Sequence, residues 1–222
     1  MAVSISLLEE LLRPLFDSTI ARAIAPIEDA VAELSEVERG LIARAVESRR
    51  REFSTGRRLA RRLLAERGIA PGPILRDDDR VPIWPASITG SISHCRDYAV
   101  VALCGADSCF GVGIDIEPDE AVKPGVERIV CTATERRWLD GEDGDDEARG
   151  RRVKLIFSAK EAVYKAFYPR VRVFWGFHDV ALELDERRGC FVAVLPTSAG
   201  RAHVEGRFVR GHGTIVSGVL AR

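Results

Sequence analysis

Apolar residues fill most of positions 155–167, Leu-Ile-Phe-Ser-Ala-Lys-Glu-Ala-Val-Tyr-Lys-Ala-Phe, and the exceptions are regularly spaced. Starting from Lys154, the residues Ser158, Glu161 and Lys165 follow at intervals of four, three and four, which places them in one polar stripe along a helix. The rest of that helix is apolar nearly all round, so it is expected to be largely buried, and a charged stripe in such a place needs partners. About forty residues earlier, Gly111-Val112-Gly113-Ile114-Asp115-Ile116-Glu117 alternates with period two. This predicts a strand with Ile114 and Ile116 on one face and Asp115 and Glu117 on the other.

Elsewhere the pattern predicts shorter elements. Residues 4–16 read as an amphipathic helix stopped near Pro14, and residues 19–25 as a strand. Ser35 and Glu38 form a capping box that opens a helix with Leu41, Ile42, Ala45 and Val46 on its apolar side. Phe53-Ser54-Thr55-Gly56 is expected to interrupt that helix, with a second one running from Arg57 to Gly68. Residues 70–85, with four prolines and the run Asp77-Asp78-Asp79-Arg80, read as a loop holding at most a short edge strand. Strands are expected at 88–93 and 98–104, an irregular stretch at 118–134, a helical turn at 134–139 and a solvated acidic loop at 140–147. Four further strand candidates, 180–184, 190–195, 203–210 and 214–221, follow the central helix. Helices followed by antiparallel strands thus occur twice, and the fold class is α+β.

Composition narrows the function classes. With 222 residues, 46% of them hydrophobic, a sizeable core is expected. A net charge of −1 excludes a globally basic nucleic-acid binder, yet residues 39–67 hold ten arginines against three glutamates, a local excess able to meet a polyanion. Five cysteines with no C-x-x-C pair point to reduced thiols rather than a disulfide framework or a structural zinc. The N-terminus lacks the basic start and cleavage site of a signal peptide, and no apolar run approaches the ~20 residues of a membrane span, so a soluble cytoplasmic protein without membrane contacts is expected. Lysine is scarce, four against twenty-nine arginines, and three of the four, Lys154, Lys160 and Lys165, fall in the central helix. A compact ammonium is wanted there.

Carboxylates at i and i+2 of a strand lie about 6.5–7 Å apart, near enough to converge on one hard cation. A few oxygen donors suit magnesium held together with substrate phosphates. A plainer alternative is a half-buried strand whose acids face water. Likewise Glu161 and Lys165 are readable as an i,i+4 helix pair, and Ser158 with Glu161 as a capping box.

Taken together, Gly-Ile-Asp-Ile-Glu followed by Phe-Ser-Ala-Lys-Glu-Ala-x-x-Lys resembles the paired signature of the 4′-phosphopantetheinyl transferases, in the arrangement of the Sfp-like and enterobactin-synthase-component-D-like branch. The similarity runs from about residue 35 to about residue 180. It implies two similar α+β halves related by a pseudo-twofold axis with the active site in the cleft between them, here residues 1–112, making nucleotide-end contacts, and residues 113–222, carrying the metal strand and the catalytic helix. The shorter holo-acyl-carrier-protein synthases have about half this length and oligomerise, so a monomer is expected.

The activity implied is transfer of the phosphopantetheine arm of coenzyme A to a serine of an apo acyl or peptidyl carrier protein of fatty acid, polyketide, nonribosomal peptide or siderophore synthesis, releasing adenosine 3′,5′-bisphosphate. The resemblance assigns Asp115, Glu117 and Glu161 to magnesium, or manganese in its place. Glu161 is also the candidate general base, and Lys165 the cation that offsets charge on the phosphates. Lys160 is assigned to another part of coenzyme A, Arg49 and Arg57 to the adenine nucleotide, and Ser93 with His94 to the 3′-phosphate. Arg76 occupies a position where relatives carry lysine, and Phe157 one where many carry tryptophan. Val122, Lys123, Val126 and Arg128 are candidates for carrier docking. Two other functions fit the same residues: a non-catalytic arginine-rich binder of an acidic protein or RNA, and a magnesium-dependent nucleotide phosphohydrolase.

Overall fold

Among the described residues there are eight strands and six α-helices, and the strands belong to two antiparallel sheets. The first has the order β1-β3-β2, from β1 (Ala21–Pro26), β2 (Ile88–His94) and β3 (Tyr98–Gly105). The second has the order β4-β8-β7-β6-β5, from β4 (Gly111–Pro118), β5 (Ala181–Asp185), β6 (Cys190–Thr197), β7 (Gly200–Gly211) and β8 (Thr214–Ala221). Six α-helices accompany them: α1 (Ile5–Leu11), α2 (Glu36–Leu41), α3 (Glu47–Glu66), α4 (Val126–Val130), α5 (Ala133–Gly141) and α6 (Asp146–Val171). The structure, a computed structural model, describes residues 4–70, 72–197 and 200–222; Pro71, in the expected 70–85 loop, lies outside them. Among the described residues no helix is long and apolar enough to cross a membrane.

The sheets change over in residues 106–110, so β4 begins two residues before the division expected at 112. There β2 of the first sheet lies against β4 of the second. The Ser91 hydroxyl accepts from the Ile114 amide at 3.1 Å and donates to its carbonyl at 3.4 Å. Cys104 and Cys109 are paired as a disulfide across this changeover, with Cα atoms 6.7 Å apart, which corrects the expectation of reduced thiols throughout. Cysteine counting missed the pair because its spacing of five residues matches no recognised motif, and the turn that follows β3 brings the two together.

The alternation of β4 has two causes. Val112, Ile114 and Ile116 enter a core with Leu8, Leu12, Phe16, Ile24 and Val100, in which the strands of the first sheet lie against this face and α1 supplies further apolar side chains. On the other face Gly111 and Gly113 let α6 pack backbone to backbone: a Cβ at either would occupy the space of the Ala166 or Ala162 carbonyl oxygen. Only glycine permits that approach. Leu155, Ile156, Ala159 and Val163 of α6 then pack with Leu182, Phe191 and Ile215 in a second core.

Helix boundaries differ from expectation for identifiable reasons. The arginine-rich helix is not broken at Ser54-Thr55-Gly56; α3 runs through it, and the interruption falls instead after α2. Those small residues are its buried face. Thr55 donates to the Glu28 carbonyl at 3.0 Å and accepts from the Glu28 amide at 3.1 Å, and Ser54 accepts from the Ala30 amide at 3.3 Å. The acidic run 140–147 is partly helical because Asp145 caps α6, accepting from the Ala148 amide at 2.9 Å. Ser158 therefore lies far inside the helix and is no cap. Four of the seven arginines of α3 are paired with a glutamate, Arg49 with Glu52, Arg58 with Glu28, Arg61 with Glu38 and Arg62 with Glu9.

Candidate active site

The polar stripe of α6 faces the carboxylates of β4. Lys165 reaches Asp115 at 2.6 Å and the Ser93 hydroxyl at 2.9 Å, and Ser93 itself donates to Asp115 at 2.9 Å. About three turns earlier in α6, Lys154 reaches Glu117 at 3.2 Å. Lys154 was read as part of the stripe without a role; its spacing from Lys165 was the available signal. Glu161 lies between the two lysines, partly buried.

Electrostatically this is a carboxylate-rich pocket. Burial raises the Glu117 carboxyl above its ordinary value, and Asp115 raises it further. Glu161 is raised too, by burial first and then by Asp115 and Glu117, with Lys165 opposing. The second oxygen of Asp115, Oδ2, is buried and has no hydrogen-bond partner among the described residues. Orphaned buried acceptors are uncommon and costly. Three oxygen donors that repel one another and one unsatisfied carboxylate oxygen fit a hard divalent cation. Among the described residues no three His, Cys, Asp or Glu side chains already stand in ligating geometry, so Asp115, Glu117 and Glu161 would have to close on the ion.

Next to the carboxylates is a cavity of about 230 Å³ lined by Arg49, Phe53, Arg57, Arg76, His94, Glu161, Tyr164 and Lys165, among others. Arg57 is buried over the ring of Phe53, 4.3 Å from its centroid, and donates from Nε to the Ile74 carbonyl at 2.7 Å. Burial lowers its pKa to about 10, partly opposed by Glu38. Arg76 donates to the Leu41 carbonyl at 3.3 Å. The guanidinium of Arg49 meets His94 Nε2, while His94 Nδ1 lies 3.3 Å from Glu52. With arginine as the donor, Nε2 accepts and the proton resides on Nδ1.

Burial, and secondarily Arg49, pushes the His94 imidazole down to about 4. Between about 6.5 and that value the unfolded chain binds a proton that the folded chain does not. Stability is therefore expected to fall on acidification from pH 7 to pH 5, by about 2 kcal/mol from this group. Urea unfolding of the wild type and His94→Gln at both pH values isolates the effect. An identical pH dependence in the two proteins would show that His94 is not held neutral.

Lys160 is not brought to this cleft. Its side chain is 2% exposed and its ammonium donates to the Val130 carbonyl, Glu135 and the Phe177 carbonyl at 2.8, 2.8 and 2.6 Å. Helical spacing alone could not reveal this, because the acceptors come from α4, α5 and the segment after α6, the nearest of them seventeen residues away in sequence. A second cavity, of about 300 Å³, lies on that side of α6, lined by Lys160, Glu161, Tyr164, Phe174, Trp175, Gly176, Phe177 and Val180. Glu161 and Tyr164 line both cavities. Of the docking candidates, Lys123 and Arg128 are exposed, whereas Val122 and Val126 pack partly against the core; Ile129, not singled out from the sequence, is 65% exposed. Phe157 packs against Phe177, ring centroids 5.5 Å apart.

Residues 37–104 match the family model described as the 4′-phosphopantetheinyl transferase N-terminal domain, and residues 111–212 match that of the 4′-phosphopantetheinyl transferase superfamily. The chain is 36% identical over 201 residues to the 4′-phosphopantetheinyl transferase Svp of Streptomyces mobaraensis, covering 86% of this chain and 80% of that protein. It is also 36% identical over 152 residues to the 4′-phosphopantetheinyl transferase Npt of Nocardia iowensis, covering 68% and 67%. Enterobactin synthase component D of Escherichia coli (strain K12) is 35% identical over 121 residues, 53% of this chain and 54% of that one. The chain belongs to the 4′-phosphopantetheinyl transferase superfamily.

Proposed function

We propose that this protein transfers the phosphopantetheine arm of coenzyme A to a serine of an apo carrier protein, releasing adenosine 3′,5′-bisphosphate. The observation that carries the reading is the meeting of the carboxylates of β4 and α6 with Lys165 beside a cavity lined by four arginines, Arg49, Arg57, Arg76 and Arg80. Arg49, Arg57, Arg76 and His94 form the end for the adenine nucleotide and its 3′-phosphate. The apolar cavity beyond Glu161 and Tyr164 takes the pantetheine arm, so the pyrophosphate lies between the two, beside Asp115 and Lys165.

Asp115, Glu117 and Glu161 would hold magnesium, which when bound supplies charge neutralisation for the pyrophosphate. The carrier serine is a weak nucleophile until its proton is removed. Glu161, whose proton affinity burial raises, accepts that proton as the serine oxygen bonds to the phosphorus on the pantetheine side. The bond from that phosphorus to the bridging oxygen breaks, and Lys165 offsets the charge on the departing bisphosphate. Both walls of the cleft come from one chain, which supports a monomer. Exposed Lys123, Arg128 and Ile129, near the metal strand in sequence, suit an acidic carrier with an apolar contact.

The test is the intact mass of an apo carrier protein incubated with this protein, coenzyme A and magnesium. A gain of one phosphopantetheine arm is expected; no gain with several unrelated carriers, while coenzyme A still binds, would sink the reading in favour of a hydrolase or binder. The division of roles predicts a split. Glu161→Gln should lower kcat by about 10²–10⁴-fold with coenzyme A affinity nearly unchanged. Arg57→Met, which keeps the buried stem, should weaken coenzyme A binding by about 10–100-fold with a smaller effect on kcat. Titration calorimetry beside steady-state kinetics separates the two, and loss of affinity alone in both variants would remove Glu161 as the base.

A further inference from the structure

The two capping-box glutamates are centres of matching clusters. In the first half Glu38, fully buried, accepts from the Ile74 amide at 3.0 Å on Oε1 and from the Ser35 amide at 2.9 Å on Oε2. Arg61 of α3 reaches both oxygens at 3.0 Å. In the second half Glu135, equally buried, accepts from the Leu182 amide at 2.8 Å on Oε1 and from the Thr132 amide at 2.6 Å on Oε2. Here the cation is Lys160 of α6, at 2.8 Å. Each cluster ties the start of a short helix to a long helix and to a backbone amide beyond it. Lys160 stands where Arg61 stands.

One difference points to a role. Lys160 has two acceptors besides Glu135, the carbonyls of Val130 and Phe177. Its three N–H donors meet three acceptors, which leaves none for a ligand. Three acceptors converging on a single atom suit an ammonium, whereas a planar guanidinium spreads its donors over a fork. Phe177 belongs to the wall of the apolar cavity, with Phe174, Trp175 and Gly176, and the next residue along α6 is Glu161.

We infer that Lys160 is a positioning residue and not a coenzyme ligand: through Glu135 and the Phe177 carbonyl it fixes the 174–177 wall against α6 and so shapes the cavity for the pantetheine arm. This rests on the assignment of that cavity made above. Lysine is used at this position because the convergent geometry requires it.

Adenosine 3′,5′-bisphosphate shares the nucleotide end of coenzyme A and lacks the arm, so affinities for the two, measured by calorimetry on proteins shown folded by circular dichroism, separate the roles. Lys160→Met, Lys160→Arg and Glu135→Gln are each expected to weaken coenzyme A by about tenfold or more and to leave the bisphosphate within about twofold. The double variant Lys160→Met/Glu135→Gln leaves no buried charge unpaired and keeps an amide oxygen for the backbone donors of the cluster; it should lose no more than the worse single variant, because the two residues act as one unit. Equal loss of both ligands, or rescue by Lys160→Arg with Glu135→Gln silent, would make Lys160 a direct ligand and overturn the inference. Unchanged coenzyme A affinity in every variant would make the cluster a scaffold only, also overturning it. If the wild type itself bound coenzyme A no more tightly than the bisphosphate, the cavity assignment would fall first and the inference with it.

Discussion

Asp115→Ala is expected to leave apo carrier protein at its original mass under conditions in which the wild type converts it fully. Asp115 accepts from both Lys165 and Ser93 on one oxygen, its other oxygen is buried without a hydrogen-bond partner among the described residues, and its charge is felt by Glu117 and Glu161. Removing it deletes a cation donor and frees Lys165 from the orientation that points it at the phosphates. Loss of one preorganised electrostatic group costs on the order of 10²–10³ in turnover, and here two roles go together. Magnesium should raise the melting temperature of the wild type and not that of the variant. A variant that kept more than a tenth of wild-type turnover, or gained the same stabilisation from magnesium, would remove Asp115 from the site.

Gly113→Ala should give the largest loss of stability. The added methyl would coincide with the Ala162 carbonyl oxygen and crowd the Ala166 amide, so α6 would have to move off β4. Neither neighbour is a flexible side chain that can turn away. Overpacking of this kind costs about 1–3 kcal/mol and occasionally more; with backbone against backbone the upper end, about 3 kcal/mol, is expected, a fall in Tm of roughly 6–12 °C for a chain of this size. Gly40→Ala is the control, since a Cβ there meets nothing within 4 Å and the position lies in α2, where alanine is preferred. Thermal denaturation of the two variants decides. A Gly113→Ala protein as stable as Gly40→Ala would mean that α6 does not pack as closely as described.

These glycines also show what the sequence made legible. Period-two alternation in 111–117 and the stripe at 154, 158, 161 and 165 sufficed to foresee a strand and a helix, because both patterns are local and strongly periodic; that the two meet in one site followed only from the family resemblance. The strands 88–94, 98–105 and 214–221 were legible for the same reason. The continuity of α3 was not, since Ser-Thr-Gly carries the propensities of a turn and becomes helical through the Glu28 and Ala30 backbone, partners more than twenty residues away. The contact of Asp115 with Lys165, fifty residues apart, has no spacing rule to announce it. The inward turn of Lys160 was not legible either, because two of its three acceptors are backbone carbonyls, which leave no trace in residue identity. Glu52 was passed over as one more charge on an arginine-rich helix, although it lies against the ring of His94.

The changeover between the sheets occupies only residues 106–110, and β2 on one side of it touches β4 on the other. Assembly of the cleft is therefore a unimolecular event. The two walls meet at a local concentration set by a five-residue tether, not by the amount of protein in solution, so the fraction of molecules with a complete cleft does not fall on dilution.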